Sequence, residues 1–266
     1  MAAPPRPSAH LVGMVHLPPL PGSPRAALAV DALEAHALAE AQQLAAAGFH
    51  ACIVENFGDA PFYGSQVEPV TVAVMSRIVA TLRREVPTLV VGVNVLRNDA
   101  AAALAVASAT GAGFVRVNVH VGATATDQGI LEGRAAETLR LRARLGLALA
   151  IWADAHVKHG RSLAHECIAD EARDAVERGL ADALIVTGRG TGWATDVDDL
   201  RTVRALELGV PVYVGSGVTE QSLDLYLREA DGVIVGSAIM QGGRAGAPLD
   251  PERARRFVAT ARKILD

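Results

Sequence analysis

The segment Asp154-Ala-His-Val-Lys158 brings together three side chains that can move protons. Residues two apart on an extended chain point the same way, so Asp154, His156 and Lys158 are expected to share one side. A carboxylate, an imidazole and an ammonium group close together suit general acid/base catalysis. Lys158 would alternatively hold a phosphate or form a Schiff base. The simpler alternative is a solvated loop rich in His and Lys.

Glu55 leaves an apolar run, Cys52-Ile-Val, and enters a polar loop. A carboxylate in that position is partly desolvated, which raises its pKa and suits it to act as an acid or a base. The alternative is an internal ion pair with Arg116. Asp59, on the same loop, is either a partner of Glu55 or a turn cap. The predicted catalytic residues, all able to hold or move a proton, are Glu55, Asp154, His156, Lys158 and His16.

Two Gly-Ser pairs, in Val214-Gly-Ser-Gly-Val-Thr219 and Val235-Gly-Ser-Ala-Ile239, indicate an anion site. Glycines let backbone N–H groups approach a ligand, and a helix N-terminus beside them would add positive partial charge. The alternative is that these glycines only make tight turns. The segment is similar to the phosphate grip of the tryptophan synthase α-subunit and of ribulose-phosphate-binding barrels. The predicted phosphate-binding residues are Gly215, Ser216, Gly217, Gly236 and Ser237.

Polar side chains follow most of the other apolar runs as well. We predict that five of them contact substrate: Asn56, Asn94, Asn118, His120 and Thr187. A divalent metal is an alternative, because His156 and Asp154, with His120 or Glu55, offer nitrogen and oxygen ligands. No HExxH-like spacing fixes a ligand geometry, so no residue is assigned to a metal and no cofactor is required.

Eight short apolar runs are predicted strands: Leu11–Val15, Ala51–Val54, Leu89–Val93, Phe114–Val119, Leu147–Trp152, Ala183–Val186, Val210–Val214 and Val233–Val235. Strands that are apolar throughout are buried on both faces, as in parallel sheets covered by helices. Stretches with helical periodicity lie between them: Asp31–Ala47, Val67–Glu85, Asp99–Thr110, Leu131–Arg144, Ser162–Arg178, Asp196–Glu207, Thr219–Glu229 and Pro251–Leu265.

Eight strand–helix units predict an α/β fold, a single (β/α)8 TIM barrel like the ribulose-phosphate-binding barrels. The alternative, an open doubly wound sheet, normally has fewer strands and a glycine-rich first turn. Five glycines are predicted to end helices in the left-handed conformation: Gly48, Gly111, Gly146, Gly179 and Gly209. Because barrel active sites form where strands end, the polar residues above should converge on one mouth.

The composition fits one globular domain over residues 11–266, preceded by a flexible tail over residues 1–10. The 266 residues carry 25 Lys+Arg against 29 Asp+Glu, a net charge of −4, and 4% aromatic residues, which argues against a nucleic-acid surface. The uncharged run Ala100–Val115 is too short and too polar to cross a bilayer. Cys52 and Cys167 form no disulfide framework, and the start lacks a secretory signal, so a cytoplasmic location is expected.

Several of these motifs together resemble the BtpA/SgcQ family, and the resemblance covers essentially the whole chain. They are Leu11-Val-Gly-Met-Val-His-Leu-Pro-Pro-Leu-Pro-Gly-Ser-Pro24, Val54-Glu-Asn-Phe-Gly-Asp-Ala-Pro-Phe62, Val91-Gly-Val-Asn94, Arg116-Val-Asn118 and Val157-Lys-His159. The resemblance implies a TIM barrel. The family's best-known member is needed for photosystem I accumulation in cyanobacteria and behaves as a peripheral thylakoid protein. The relative SgcQ is grouped with sugar-metabolism genes, which fits a phosphosugar ligand better.

Three functions therefore compete at this stage. The leading hypothesis is an enzyme that acts on a small phosphorylated metabolite, a phosphosugar or phosphoribosyl compound, by isomerisation, carbon–carbon cleavage or glycosidic cleavage. The second is a non-catalytic assembly or biogenesis factor on a barrel scaffold, with peripheral membrane association implied by the resemblance. The third is a metal-dependent hydrolase. A homo-oligomer is compatible with each of them.

Overall fold

The computed structural model describes residues 11–188, 190 and 193–265. Eight of the strands in this part of the chain form a closed parallel barrel, which confirms the predicted TIM-barrel fold. Around the barrel each strand pairs with its neighbours in the order β1-β11-β10-β9-β7-β4-β3-β2. These strands are β1 Leu11–His16, β2 Ala51–Glu55, β3 Val90–Asn94, β4 Phe114–Val117, β7 Ala150–Ala155, β9 Ala183–Val186, β10 Val212–Val214 and β11 Gly232–Val235. The predicted tail over residues 1–10 lies outside the described residues, as do Arg189 and Asp266.

Helices cover the outside of the barrel and bury its outward-facing aliphatic side chains in one continuous core. They are α1 Val30–Ala47, α2 Pro69–Glu85, α3 Ala100–Thr110, α4 Ala135–Arg144, α5 Ile168–Arg173, α6 Val197–Arg204, α7 Leu223–Glu229 and α8 Pro251–Leu265. A π-helical turn, Asp174–Arg178, continues α5. None of the described helices has both the length and the apolar character that a bilayer crossing requires.

Three of the five predicted glycine caps are correct. Gly48, Gly111 and Gly146 follow helix ends and have positive φ angles. Gly209 also has a positive φ angle, but α6 already ends at Arg204, so Gly209 does not cap it. Gly179 has a φ of −82°, and Leu180 adopts the left-handed conformation instead. The prediction failed there because the π-helical turn adds one residue to the last turn before the chain reverses.

Three further strands form a small antiparallel sheet above the barrel mouth, and the sequence analysis missed it. They are β5 Ala123–Thr126, β6 Gly129–Glu132 and β8 Gly160–Ser162, with β5 in the middle. The predicted helix Leu131–Arg144 therefore begins only at Ala135. Gly129, with a φ of +95°, closes the β5–β6 hairpin, and the buried Leu131 belongs to β6.

Other predicted boundaries differ as well, because loop residues continue the apolar or helical pattern of the neighbouring element. The predicted helix Ser162–Arg178 starts at Ile168, since Ser162 pairs with Thr124 in the small sheet. The predicted strands at Leu147 and Val210 start later, at Ala150 and Val212. Residues 147–149 and 210–211, which precede these two strands, belong to the loops that lead into the barrel.

A stack of three aromatic rings fills the inside of the barrel. The ring centroids of Phe114 and Trp152 lie 4.0 Å apart, and those of Trp152 and Tyr213 lie 4.2 Å apart. Gly92 on β3 leaves the space that Phe114 needs, because a Cβ at residue 92 would lie 2.3 Å from that ring. Packing at interior density tolerates no such overlap, so the stack depends on this glycine.

We expect Gly92→Ala to lower the free energy of unfolding by roughly 1–3 kcal/mol, the usual effect of overpacking a core. Gly64→Ala is the matched control, since its Cβ would find no atom closer than 3.7 Å. Urea unfolding of both variants measures the difference. Equal stability of the two would contradict the assignment of Gly92 to the stack.

Candidate active site

The carboxyl ends of the barrel strands surround a narrow cavity of about 50 Å³. Both Gly-Ser loops line it, together with side chains from β1, β2 and β4 and from the loop after β7. All five predicted phosphate-binding residues and three predicted catalytic residues therefore meet at one place. The lining includes His16, Glu55, Phe57, Arg116, Lys158, Gly215, Ser216, Gly217, Gly236 and Ser237.

A larger chamber of about 590 Å³ adjoins this cavity. Four residues line both spaces: Glu55, Phe57, Arg116 and Lys158. The rest of the chamber wall comes from the loops after β2 and β3, from the β5–β6 hairpin and from the loop after β7. Those residues are Ala60, Phe62, Leu96, Arg97, Asn118, Asp127, Gln128 and His159.

A buried ion pair between Arg116 on β4 and Asp154 on β7 fixes the floor of the site. Nε and Nη2 of Arg116 donate to the two carboxylate oxygens at 2.8 and 2.9 Å. Asn118 Nδ2 donates to the same carboxylate at 3.0 Å. Arg116 was considered as the partner of Glu55, but its charge is held by Asp154 instead. Both Asp154 oxygens are engaged, so its predicted role as an acid/base catalyst gives way to a positioning role.

Glu55 and His16 face each other across the narrow cavity, with Oε1 and Nε2 3.7 Å apart. His16 Nδ1 accepts a hydrogen bond from the Gly246 backbone N–H at 3.2 Å, so the neutral ring carries its proton on Nε2, towards Glu55. Burial, with the positive charges of Lys158 and Arg116, lowers the pKa of His16 to about 3. Burial raises the pKa of Glu55, although Arg116 and Lys158 oppose that shift.

Lys158 projects between the cavity and the chamber. Burial and the neighbouring Arg116 lower its pKa to about 8, while Asp154 and Glu55 act in the opposite direction. Its main-chain carbonyl accepts a hydrogen bond from the Arg97 guanidinium, which ties the loop after β7 to the loop after β3. The ammonium group of Lys158 is therefore charged at pH 7 and largely neutral above pH 9.

The predicted alternation of Asp154, His156 and Lys158 on one side is wrong. His156 has a φ of +55°, so the chain leaves the extended conformation directly after β7. Its side chain lies in a separate cavity, where Nε2 is 3.6 Å from Oε2 of the buried Glu171. Thr187, predicted to contact substrate, lines that same separate cavity and donates to the His156 carbonyl at 2.7 Å.

Of the other predicted substrate contacts, Asn118 lines the chamber, and the remaining three serve neighbouring loops. Asn94 Nδ2 donates to the Arg116 carbonyl and to Asn118 Oδ1, both at 3.1 Å. Asn56 Oδ1 accepts from the Leu96 backbone N–H at 2.7 Å. His120 Nε2 donates to the Gly179 carbonyl at 2.8 Å. These three hold loops in place, and they line neither the cavity nor the chamber.

The two Gly-Ser loops differ in what they offer a ligand. Gly215 N–H donates to the Val186 carbonyl at 2.8 Å and is already used. Gly217 has a φ of +65°, and a Cβ there would lie 2.4 Å from Cα of Ala194. The Ser216 hydroxyl is buried and makes no hydrogen bond within the described part of the chain. The predicted helix N-terminus is not adjacent to this loop, because α7 begins only at Leu223. At the second Gly-Ser pair a single 3₁₀-helical turn, Ser237–Ile239, begins directly after Gly236.

The sequence analysis missed Arg97, Gln128, Phe57 and Phe62. Arg97 lies three residues after the end of β3, and the prediction for that strand end went no further than Asn94. Gln128 sits in the hairpin that was read as the approach to a helix. The signal that was available is Thr126-Asp-Gln-Gly129, a short polar turn closed by glycine.

Within residues 11–188, 190 and 193–265, no cluster of three or more His, Cys, Asp or Glu side chains is arranged to hold a metal ion. The ligands considered for the metal alternative lie apart. Asp154 is bound to Arg116, His156 faces Glu171, and His120 faces Gly179.

The fold and site together define a TIM barrel with a basic, glycine-lined pocket in its mouth. The chain belongs to the BtpA family, whose family model matches residues 8–263. It is 44% identical over 248 residues to the photosystem I biogenesis protein BtpA of Synechocystis sp., covering 93% of this chain and 86% of that protein. It is 43% identical to an uncharacterized protein of Methanocaldococcus jannaschii, covering 96% of this chain and 95% of that one.

Among solved structures, several phosphate-compound enzymes share the fold. Thiamine phosphate pyrophosphorylase from Pyrococcus furiosus superposes with a TM-score of 0.62 at 16% identity, covering 98% of this chain and 99% of that one. The 3-keto-L-gulonate-6-phosphate decarboxylase from Vibrio cholerae gives 0.57 at 16% identity, with 98% of each chain covered. At these identities the likeness establishes the fold only.

We expect Asp154→Asn to lower the free energy of unfolding by roughly 3–5 kcal/mol, because it leaves the buried Arg116 charge unpaired. Asp224→Asn, which breaks the exposed pair with Arg228, should cost less than about 1 kcal/mol. Urea denaturation at pH 7 compares the two. A small loss for Asp154→Asn would contradict the role given to the ion pair.

Proposed function

We propose that this protein is an enzyme that acts on a small phosphorylated metabolite, a phosphosugar or phosphoribosyl compound, by acid/base chemistry. One observation carries the proposal: the two Gly-Ser loops, two cationic side chains and a desolvated carboxylate line the same cavity. A phosphate needs the first two features, and a proton transfer needs the third. The structural neighbours named for thiamine phosphate and gulonate 6-phosphate chemistry support a phosphorylated ligand for this fold.

The phosphate group binds in the narrow cavity, where the ligand oxygens meet several donors. The Ser216 hydroxyl supplies a hydrogen bond that none of the described residues uses. Lys158 and Arg116 supply positive charge, and charge-assisted hydrogen bonds to phosphate are the strong ones. A Cβ on Gly215 would lie 3.7 Å from Nη2 of Arg116, so the loop and the guanidinium are near neighbours.

Glu55 acts on the atoms next to the phosphate, since it lines both the cavity and the chamber. Burial raises its pKa above the ordinary value of a carboxyl group, which suits it to take a proton and return it. His16 stays neutral and keeps its proton. Its Nε2–H group donates a hydrogen bond, either to Glu55 or to a substrate oxygen that becomes negative. This pair suits isomerisation, carbon–carbon cleavage and glycosidic cleavage alike, because each begins with one proton transfer. Asp154 takes no part beyond positioning Arg116.

A non-catalytic role in assembly is the second candidate, and it rests on the name of the Synechocystis relative. In that case the mouth residues would have no chemical task. The burial of a carboxylate, an imidazole and an ammonium group around one small cavity is costly for a scaffold and useful for an enzyme. We therefore favour the enzyme.

We expect ribose 5-phosphate to bind more weakly as the pH rises from 7 to 9.5. A phosphate monoester is already a dianion in this range, so the change reports on Lys158, whose charge is lost around pH 8. Above that pH the affinity should fall by about tenfold for each unit, because only the protonated fraction binds well. Isothermal titration calorimetry measures it.

Lys158→Met should bind ribose 5-phosphate weakly and with no pH dependence over the same range. Lys263→Met is the matched control, since the chain has only these two lysines and Lys263 lies on α8. Ser237→Asp, which adds a negative charge to the cavity, should abolish binding while the melting temperature stays near that of the wild type. If Lys158→Met binds ribose 5-phosphate as tightly as the wild type does, the phosphate group does not bind in this cavity.

We expect Glu55→Gln to bind phosphorylated ligands and to turn none of them over. A metabolite extract incubated with wild-type protein should lose at least one phosphorylated compound, as followed by mass spectrometry, and the same extract with Glu55→Gln should not. Glu34→Gln, a partly buried carboxylate on α1, is the control and should behave as the wild type. A wild-type protein that consumes nothing would favour the assembly role.

A further inference from the structure

The larger chamber is lined differently from the phosphate cavity. Phe57, Ala60, Phe62 and Leu96 supply apolar surface to it. The narrow cavity and the chamber of about 590 Å³ share Glu55, Arg116 and Lys158, so a ligand whose phosphate lies among the Gly-Ser loops extends past these residues into the chamber. The chamber lining therefore selects the part of the ligand that is not phosphate.

An open-chain sugar fits this lining poorly. It carries a hydroxyl on nearly every carbon, and a hydroxyl placed against Phe57, Phe62 or Leu96 would lose its hydrogen bonds to water without replacement. A flat conjugated ring has two apolar faces and keeps its polar atoms at the edge. Phe62 and Phe57 offer aromatic surface for such a ring, and stacking on aromatic side chains tolerates any conjugated base.

The polar groups of the chamber suit the edge of that ring. Gln128 Nε2 donates to Asp127, which leaves Oε1 as an acceptor. That oxygen is buried and makes no hydrogen bond to any described residue. Arg97 is buried to 93% and adds N–H donors beside it. The amide of Asn118 is already bonded to Asn94 and Asp154. The ligand edge must therefore present one donor and one acceptor.

From this juxtaposition we propose that the chamber binds a planar nitrogen heterocycle with an N–H donor and a carbonyl or ring-nitrogen acceptor. This inference rests on the proposed function and narrows it: the substrate is a phosphoribosyl-linked heterocycle, a nucleotide-like compound, in place of a plain phosphosugar. Phe62 and Gln128 then determine which ring binds. The β5–β6 hairpin, which carries Gln128, closes the chamber over that ring.

The test compares ribose 5-phosphate with the four nucleoside 5′-monophosphates by isothermal titration calorimetry at pH 7. Both ligand types share the phosphoribosyl group and differ only in the ring. At least one nucleotide should bind roughly tenfold or more tightly than ribose 5-phosphate, the factor expected for a stacked base. Phe62→Ala and Gln128→Leu should remove that advantage, because they weaken nucleotide binding roughly tenfold and ribose 5-phosphate binding much less.

Tyr63→Ala is the matched control, because Tyr63 is the next aromatic residue along the loop and does not line the chamber. It should bind like the wild type. If no nucleotide binds more tightly than ribose 5-phosphate, the chamber does not bind a heterocycle and the proposed phosphate site is unaffected. The same conclusion follows if Phe62→Ala weakens the binding of both ligands equally. If ribose 5-phosphate and the nucleotides all fail to bind, the proposed function itself is overturned.

Discussion

The ion pair between Arg116 and Asp154 is the interaction on which the site depends. It joins β4 to β7 inside the barrel and holds a guanidinium at the floor of the mouth with almost no exposure to water. Two charges in that position are stable only when their geometry satisfies both. Burial lowers the pKa of Lys158 and His16, and the fixed positive charge of Arg116 adds to both shifts. The same charge opposes the raised pKa of Glu55.

Around that pair the barrel divides one mouth into two spaces with different chemistry. The loops after β10 and β11 line a small polar cavity, and the loops after β2 and β3 supply the apolar part of a larger chamber. Glu55 and Lys158 lie where the two meet. A ligand with a charged end and a flat apolar end would therefore place its central atoms beside the groups that can move a proton.

The barrel and the position of the two Gly-Ser loops at its mouth follow from local patterns in the sequence. Apolar runs, capping glycines and paired Gly-Ser turns each reflect a physical requirement of a few neighbouring residues. Glu55, Lys158 and His16 were placed at the mouth by the same reasoning, because the carboxyl ends of barrel strands and the loops that follow them form the mouth. The sequence alone was sufficient to predict these positions. The family that its motifs indicated is also the one whose model matches the chain.

Other features depend on contacts between distant residues. Asp154 has the type and position of a catalyst, and only its partner, 38 residues away, shows that its oxygens are occupied. His156 turned away because of one left-handed φ angle, which strand alternation does not encode. The hairpin that carries Gln128 pairs partly with β8, so its strands are stabilised by a segment far along the chain.

The most direct test of this account is a crystal structure of the protein with ribose 5-phosphate. The account predicts phosphate density in the narrow cavity, within hydrogen-bonding distance of Ser216 and Lys158, with the ribose directed past Glu55 towards Phe62. Phosphate bound in the cavity beside His156 and Glu171, or a ribose directed away from Glu55, would contradict the central claim that one mouth joins phosphate binding to acid/base chemistry.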